Sequence, residues 1–252
     1  MLREAAEYPN SFVALGPDDE RIETDRYTLC MSAAKRSNTV QRARFAREEI
    51  DEVVREVRSE LRSRGRTRTQ WEVGSAPEPD DLVEQLLARG LVRDSDPFAV
   101  ALALRSAPPA PPEGLLVRRV QTDEEYIAAK LVQFEAFGAP AEEIADRRAA
   151  MPGRWREAPK IVHAVWLDGE IVGSGTCSWT PHGLALFGGA TLPRARGRGV
   201  YRALIDARWR EATSADAPAL ITQAGAMSRP ILERLGFRPV GRVDMLIDDF
   251  GT

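Results

Sequence analysis

Two glycines, Gly197 and Gly199, alternate with arginines in a turn that joins an apolar stretch to a helical pattern. Glycine reaches positive φ without steric cost, so consecutive backbone N–H groups of such a turn can face one concavity. The unpaired N–H groups and the dipole at the start of the next helix favour an anion at the same place. Four arginines add charge-assisted donors around it: Arg194, Arg196, Arg198 and Arg202. The pattern predicts a site for the oxygens of a diphosphate.

The elements that must hold this turn follow the order β-α-α-β-β-β-α-β-α-β over the second half of the chain. Helical spacing of apolar residues predicts helices at 122–137, 141–150, 200–212 and 230–235. Stretches rich in β-formers predict strands at 115–120, 161–166, 171–179, 184–192, 219–223 and 242–247. The turn lacks both the GxxxxGK[ST] of nucleotide P-loops and the GxGxxG of dinucleotide folds.

A proline-rich segment, Ser106 to Gly114, precedes these elements, and its four prolines favour an extended linker. We therefore predict an N-terminal domain over residues 1–107, a linker over 108–113 and a second domain over 114–252. In the first domain, apolar spacing predicts a long helix over 39–64 with Asn38 as its N-cap. Strands are predicted there at 21–32, 68–73 and 98–104, and a second helix at 80–89.

The spacing Arg194-x-x-Gly197-x-Gly199 resembles the pyrophosphate loop of the GCN5-related N-acetyltransferases (GNAT), Q/R-x-x-G-x-G/A. The order of strands and helices around the loop is similar to that family. Residues 231–237 resemble the family's ending, in which glycine and phenylalanine follow a short helix. The resemblance spans nearly all of residues 114–252. It implies an α+β fold with a mixed α/β sheet, the GNAT acyl-CoA N-acyltransferase fold.

The resemblance also implies transfer of an acetyl group from acetyl-CoA, as co-substrate and without a metal, to an amine by direct attack. In that family the strand before the loop, here 190–192, diverges from the next strand, here 220–223, and the pantetheine arm lies in the opening. A backbone N–H at Thr191 or Leu192 would polarise the thioester carbonyl. The implied coenzyme-binding residues are Ala190, Thr191, Leu192, Arg194, Arg196, Gly197, Arg198, Gly199, Val200 and Tyr201.

The sequence departs from the family at the general acid. The tyrosine that often protonates the departing thiolate would fall at Leu232, and leucine has no proton to give. Ser228 is the nearest hydroxyl and our candidate proton donor, although it could instead cap the helix predicted from Pro230. Glu135 is a candidate general base acting through a water, with a surface carboxylate as the alternative.

Three aromatic residues, Phe134, Phe137 and Trp155, could line an apolar acceptor pocket or belong to the core. His163 lies in a predicted strand and is interpreted as a core histidine rather than a catalytic one.

The first domain resembles a partial copy of the same fold. Residues 70–91 run through strand, proline-containing turn, short helix and glycine in the order that 221–237 follow. No glycine occurs from Pro17 through Arg64, where a phosphate loop of the copy would lie, so this domain is expected not to bind CoA in that manner. We predict a degenerate GNAT-like domain with a structural role, and chance similarity is the alternative.

The composition argues against binding to nucleic acid or a membrane surface and against a structural metal site. The chain has 35 Lys+Arg against 38 Asp+Glu, a net charge of −3, which offers no basic footprint for nucleic acid or for a membrane surface. Cys30 and Cys177 are too few and too far apart for a structural zinc site or a disulfide framework. The charged N-terminus and short apolar stretches favour a cytoplasmic protein.

Together these features predict an N-acetyltransferase acting on a small-molecule amine, as a monomer or homodimer. Two alternatives stay open. One is a non-catalytic acyl-CoA-binding or regulatory protein, suggested by Leu232 at the position of the acid. The other is an acetyltransferase for protein N-termini or lysines.

Overall fold

The chain divides into two compact units whose segments are not consecutive in sequence. A computed structural model describes residues 1–32, 38–149, 151–153, 160–215 and 217–251. The first unit contains Met1–Leu102 with the C-terminal segments Gln223–Ile231 and Pro239–Thr252, and the second contains Ala103–Thr222 with Leu232–Arg238. Trp155, considered above for the acceptor pocket, lies outside the described residues.

Seven helices and eleven strands are present in the described part of the chain. The helices are α1 (Leu2–Glu7), α2 (Ile50–Ser63), α3 (Leu82–Ala88), α4 (Asp123–Ala136), α5 (Ala141–Ala149), α6 (Val200–Ser214) and α7 (Arg229–Arg234). The strands are β1 (Glu20–Glu23), β2 (Thr28–Met31), β3 (Asn38–Gln41), β4 (Arg68–Val73), β5 (Val92–Leu104), β6 (Leu116–Arg119), β7 (Ile161–Leu167), β8 (Glu170–Thr180), β9 (Gly183–Thr191), β10 (Leu220–Ala224) and β11 (Arg238–Asp249).

The first unit has a sheet of order β1-β2-β3-β4-β11-β5, in which β3 and β4 are parallel. Helix α2 packs its apolar stripe on this sheet. Val53, Val57 and Leu61 recur at helical spacing and are fully buried, in one apolar cluster with Val40 and Trp71 of the strands. Burial of this stripe, at about 25 cal/mol per Å² of apolar surface, is what holds the helix in place.

The long helix predicted over 39–64 is wrong in its first part, because Asn38–Gln41 is strand β3 and α2 begins at Ile50. Asn38 is not an N-cap, since its Nδ2 donates to the carbonyl oxygen of Arg68 at 2.8 Å. Val40 is β-branched and fully buried in the sheet, a setting that favours strand over helix. Tertiary burial therefore outweighs the apolar spacing that suggested one continuous helix.

The second unit has a sheet of order β10-β9-β8-β7-β6, with β9 and β10 parallel and the other pairs antiparallel. Successive residues of β8 point to opposite faces. Ser174 and Thr176 bond to side chains of α4, whereas Gly173 and Gly175 lie against side chains of α6. The two long helices therefore cover opposite faces of this sheet.

The elements predicted for the second half of the chain are all present, with bounds that differ by a few residues. Thr122 caps α4 as expected, since its Oγ1 accepts the N–H of Glu125 at 3.2 Å. The strand predicted over 21–32 is instead two strands, joined by a turn in which Thr24 N–H donates to Tyr27 O at 2.9 Å. Among the described helices, none has the length and apolar character needed to cross a bilayer.

Strand β11 belongs to the first unit, although the predicted domain 114–252 includes it. It lies between β4 and β5 and pairs antiparallel with β4, from Asp244↔Val73 to Asp249↔Arg68. Arg58 of α2 donates to both oxygens of buried Asp248, at 2.9 and 2.7 Å. The C-terminal segment thus completes the first unit, and the boundaries at 107 and 114 stay a prediction.

Candidate functional site

The parallel strands β9 and β10 separate after a short paired stretch. They pair at Leu184↔Leu220 and Ala185↔Ile221. At the next position the Thr222 side chain reaches across the gap, donating from Oγ1 to the carbonyl of Leu186 at 3.1 Å. Strand β9 continues to Thr191 beyond this point, which leaves one of its edges unpaired with β10. The divergence predicted from the sequence is therefore present.

A β-bulge lies on β9 within the diverging part. Ser174 of β8 faces Ala190 and Thr176 faces Phe187, so three steps along β9 match two along β8. Gly188, in the bulge, has φ of +55°. An inserted residue turns the local peptide groups away from regular pairing and bends the strand. The bulge thus changes the direction of the peptide groups of β9 just before Thr191.

The backbone N–H groups of Thr191 and Leu192, the two candidates to bind the thioester carbonyl, differ in their hydrogen bonding within the sheet. Leu192 N–H donates to the carbonyl of Val172 at 2.9 Å, so it is already engaged with β8. Successive amides along a strand point to opposite edges, which directs the Thr191 N–H toward the opening. The Thr191 Oγ1 is buried and has no hydrogen-bond partner among the described residues. Of the two, Thr191 is the residue that can serve a ligand.

The glycine-rich turn has the backbone conformation that its sequence predicts. Gly197 and Gly199 both have φ of +78°, and Gly199 is the residue before α6. Apart from Gly197 and its two chain neighbours, no heavy atom of the described residues lies within 4 Å of the position that a Cβ of Gly197 would take. At Gly199 a Cβ would lie 2.5 Å from Cγ of Pro112, so this residue must be glycine for two reasons.

The amides of the turn are not all available to a ligand. Arg196 N–H donates to the carbonyl of Pro193 at 3.3 Å, and the first helical bond of α6 runs from Ala203 N–H to Gly199 O. The amides that can face an anion therefore follow Arg196 and end in the first turn of α6. Arg194 donates to Glu170 at 3.0 Å, whereas Arg198 is exposed beside the turn.

A polar group on α4 lies over the bulge and was not predicted from the sequence. Gln133 is buried, donates to Ser174 Oγ at 3.1 Å and lies against Gly188, where a Cβ would be 3.1 Å from its Oε1. Lys130 Nζ donates to Thr176 Oγ1 at 3.1 Å and to Gln133 Oε1 at 3.4 Å. Burial, with the charge of Lys160, lowers the pKa of Lys130 to about 8. One signal existed, because Lys130 is one of three lysines among 35 basic residues.

A second polar group lies on the α6 face. His163 is buried, with Nδ1 3.8 Å from Cys177 Sγ and Nε2 3.6 Å from Glu211 Oε2. Burial and the nearby Arg208 lower the pKa of His163 to about 4, so the imidazole is neutral at pH 7. Glu211 is itself bound by Arg119, whose Nε donates to it at 2.9 Å. The interpretation of His163 as a core histidine fits this setting.

The two predicted catalytic residues lie in different settings. Glu135 is exposed on the last turn of α4. Ser228 belongs to the first unit and stands just before α7, where its carbonyl accepts the N–H of Ile231 at 3.1 Å. Leu232, at the family's tyrosine position, is buried. The roles of Glu135 and Ser228 stay predictions.

Of the aromatic residues considered for the acceptor pocket, the structure describes Phe134 and Phe137. Phe137 is 65% exposed, which contradicts a core position. Phe134 is half-buried, and the guanidinium of Arg147 lies 4.5 Å from its ring centre.

A mixed sheet whose parallel pair opens beside a glycine-rich turn and a helix N-terminus defines the acyl-CoA N-acyltransferase fold. Residues 124–237 match the model of the acetyltransferase (GNAT) family. The matched part of the chain is therefore a GNAT domain, and the chain as a whole has the fold of GNAT proteins. None of the curated proteins matches it in sequence.

Solved structures resemble the chain over nearly its whole length. A GCN5-related N-acetyltransferase from Kribbella flavida has a TM-score of 0.70 at 15% identity, covering 97% of this chain and 93% of that one. A functionally unknown conserved protein from Staphylococcus epidermidis has a TM-score of 0.68 at 11% identity, covering 96% and 97%. A tandem GNAT protein from the clavulanic acid biosynthesis pathway has a TM-score of 0.62 at 15% identity, covering 100% and 94%. At these identities the likeness shows the fold.

Proposed function

We propose that this protein is an acyl-CoA-dependent N-acetyltransferase that transfers an acetyl group from acetyl-CoA to the amine of a small molecule. The observation that carries the proposal is the opening between β9 and β10, with the Thr191 N–H directed into it. The buried, unpartnered Thr191 Oγ1 and the uncrowded Gly197 are features that a bound coenzyme would use. The residues present therefore fit the coenzyme.

Each part of the site has a distinct task in this proposal. The amides after Arg196 and the start of α6 hold the diphosphate, with Arg194 and Arg198 nearby. The free edge of β9 from Ala190 aligns the pantetheine arm. The Thr191 N–H donates to the thioester oxygen as negative charge develops there, which is oxyanion-hole stabilisation. Acetyl-CoA, when bound, supplies the activated acyl group and a thiolate leaving group.

The two alternatives make different demands on the same site. A non-catalytic acyl-CoA-binding protein would need the cradle but no acid, and the buried Leu232 favours that reading. A protein acetyltransferase would need a groove for a peptide, and no observation favours one. The cytoplasmic location and the monomeric or homodimeric state stay predictions.

The test compares substitutions at two glycines that have nearly the same positive φ. Gly197 (φ +78°) and Gly169 (φ +83°, in the β7–β8 turn) both have open space at the Cβ position. Gly197→Asp is expected to lower the affinity for CoA at least about tenfold, or about 1.4 kcal/mol, by placing a carboxylate beside the diphosphate. Gly169→Asp carries the same strain and should bind CoA as the parent does. Calorimetry measures both.

Activity is measured by following free thiol while the parent protein is mixed with acetyl-CoA and a panel of small amines. Thiol release that depends on the amine supports the enzyme. CoA binding without such release would make the protein a binding or regulatory one, and release with lysine peptides alone would make it a protein acetyltransferase. Equal CoA affinity in the two aspartate variants would remove the basis for the diphosphate site.

A further inference from the structure

Tyr201, in the first turn of α6, lies with its phenol against the bulge of β9. A Cβ added at Gly189 would be 2.9 Å from Cε2 and 3.1 Å from Oη of Tyr201. The glycine is therefore required for the close approach of the ring. The phenol hydroxyl thus reaches the backbone two residues before Thr191, whose N–H we assign to the thioester oxygen.

Arg208 lies two turns further along α6 and is 1% exposed. A Cβ at Gly175 would overlap its guanidinium, so that group lies directly against the backbone of β8, with Nη2 nearest. Its Nε and Nη2 have no hydrogen-bond partner among the described residues. Leaving two donors of a buried cation without acceptors is costly, and a buried, strongly perturbed charged group of this kind is a candidate for a functional position.

The unpartnered groups share one face of the sheet. Thr191 pairs with Gly173, and Gly173 faces α6 against Val200, so the Thr191 side chain also points to that face. Gly189 is on this face as well, since Tyr201 covers it. Thr191 Oγ1, Tyr201 Oη and the Arg208 guanidinium therefore lie on the α6 side of β8 and β9, around the bulge.

The other titratable groups on this face do not cancel the charge of Arg208. His163 is neutral at pH 7, because its pKa is lowered to about 4. Burial raises the pKa of Cys177 to about 11, so that thiol is neutral too. Glu211 lies beyond His163 and is bound by Arg119. The Arg208 cation therefore acts on its neighbours with little compensation.

Resting on the proposed function, we propose that Tyr201 is the proton donor to the leaving sulfur, and that Arg208 is a positioning residue that stabilises the phenolate. The amine nitrogen forms a bond to the acyl carbon, the carbon–sulfur bond breaks, and its electron pair goes to sulfur. Tyr201 Oη gives its proton to that sulfur. The surplus proton on nitrogen goes to water, and solvent returns one to the phenolate.

This assignment accounts for the missing acid at the family's position. Leu232 is buried and apolar, whereas Tyr201 brings a hydroxyl to the bulge from α6. Burial raises the pKa of Tyr201 and Arg208 lowers it, so the phenol is protonated at pH 7 while its anion is stabilised. A general acid needs both properties.

The test uses Tyr201→Phe, which keeps the ring and removes the hydroxyl, with Tyr27→Phe of the first unit as control. Calorimetry with CoA and with desulfo-CoA reports on the sulfur contact without turnover. The parent is expected to bind CoA several-fold more tightly than desulfo-CoA, and the ratio should fall to about one in Tyr201→Phe. In the same variant kcat should fall about 10²-fold or more, with KM for acetyl-CoA little changed.

Arg208 is tested by the pH profile. Arg208→Met should lower kcat and move its alkaline limb to higher pH, because the phenol loses the cation that lowers its pKa. Arg208→Lys, which keeps a charge, should restore part of the rate and shows that the site is still folded. A Tyr201→Phe protein with kcat within about threefold of the parent, or an unchanged CoA to desulfo-CoA ratio, overturns the proposal. Failure of the parent to bind either coenzyme would instead overturn the proposed function.

Discussion

Gln41 Nε2 donates to Glu72 Oε2 at 2.7 Å, at the point where the parallel strands β3 and β4 of the first unit separate. Among the described residues these strands pair at Thr39↔Gln70 and Val40↔Trp71, as β9 and β10 pair at two positions in the second unit. The first unit thus repeats the divergence of the GNAT fold.

The first unit fills this divergence with its own side chains. Ser11 donates to Gln41 Oε1 through both its N–H and its hydroxyl, each at 2.9 Å. Gln223, which belongs to the same unit, donates to Glu72 Oε2 at 2.9 Å. Side chains of this unit therefore bond to one another where the two strands separate, an arrangement that fits the structural role predicted for the unit.

Glu72→Gln is expected to stabilise the protein at pH 7. Burial raises the pKa of Glu72 above its ordinary value, although Gln223 and Gln41 lower it through hydrogen bonds. Between the unfolded and folded pKa the folded state holds a proton that the unfolded state has lost, so stability falls as pH rises through that range. Glutamine keeps an acceptor oxygen without the charge, and the gain should be about 1 kcal/mol.

Urea unfolding at a series of pH values measures this change. The decline of stability above the ordinary pKa of a glutamate should disappear in Glu72→Gln. Gln41→Leu is the control in the opposite direction, because it removes a donor from a buried carboxylate and should destabilise by about 1–3 kcal/mol. A Glu72→Gln protein less stable than the parent at pH 7 would contradict the argument.

Lys130→Met is expected to raise stability at pH 7. Lys130 has its pKa lowered to about 8 from an ordinary 10.5, so between these values the unfolded state binds the additional proton and the parent gains stability as pH rises. Below pH 8 the cost of the buried charge is fully present, at about 1.4 kcal/mol per pKa unit. Methionine has a similar shape and no charge.

Thermal unfolding of both proteins from pH 7 to 10.5 gives the answer. The parent should become more stable over this interval relative to Lys130→Met, so that the two curves converge. Parallel curves would show that the ammonium group is solvated and that its pKa is ordinary.

His163 should titrate with a midpoint of about 4 in the folded protein. Because this lies below the unfolded value of about 6.5, the unfolded state takes up a proton that the folded state refuses as pH falls from 6.5 to 4. Stability is lost over that window. NMR of the imidazole ring protons, with His163→Gln to assign the signal, measures the midpoint; a value near 6.5 would show an exposed ring.

Arg58→Ala is expected to destabilise the first unit by about 3 kcal/mol, because it leaves the buried carboxylate of Asp248 unpaired. Asp248 has a side chain 2% exposed. Arg47→Ala is the matched control, since its pair with Asp81 is half-exposed and should be worth less than about 1 kcal/mol. Equal effects in denaturant unfolding would mean that β11 is not anchored to α2 through this pair.

The sequence alone determined those features that depend on neighbouring residues. Gly197 and Gly199 predicted a turn of positive φ, and Thr122 predicted the start of α4. The apolar spacing from Ile50 predicted the helix α2. In each case one short segment carries both the signal and the conformation. The order of elements then led to the family.

Tertiary structure decided what depends on residues distant in sequence. Asn38–Gln41 is a strand that pairs with β4, where Thr39 lies opposite Gln70, and local spacing could not reveal that partner. The Thr191 N–H, and not that of Leu192, can donate to a ligand, because the Leu192 N–H already donates to the carbonyl of Val172. The contact of Tyr201 with Gly189 exists because α6 packs on a bulge. Burial and hydrogen bonding across the sheet set these arrangements, and no pattern within one segment encodes them.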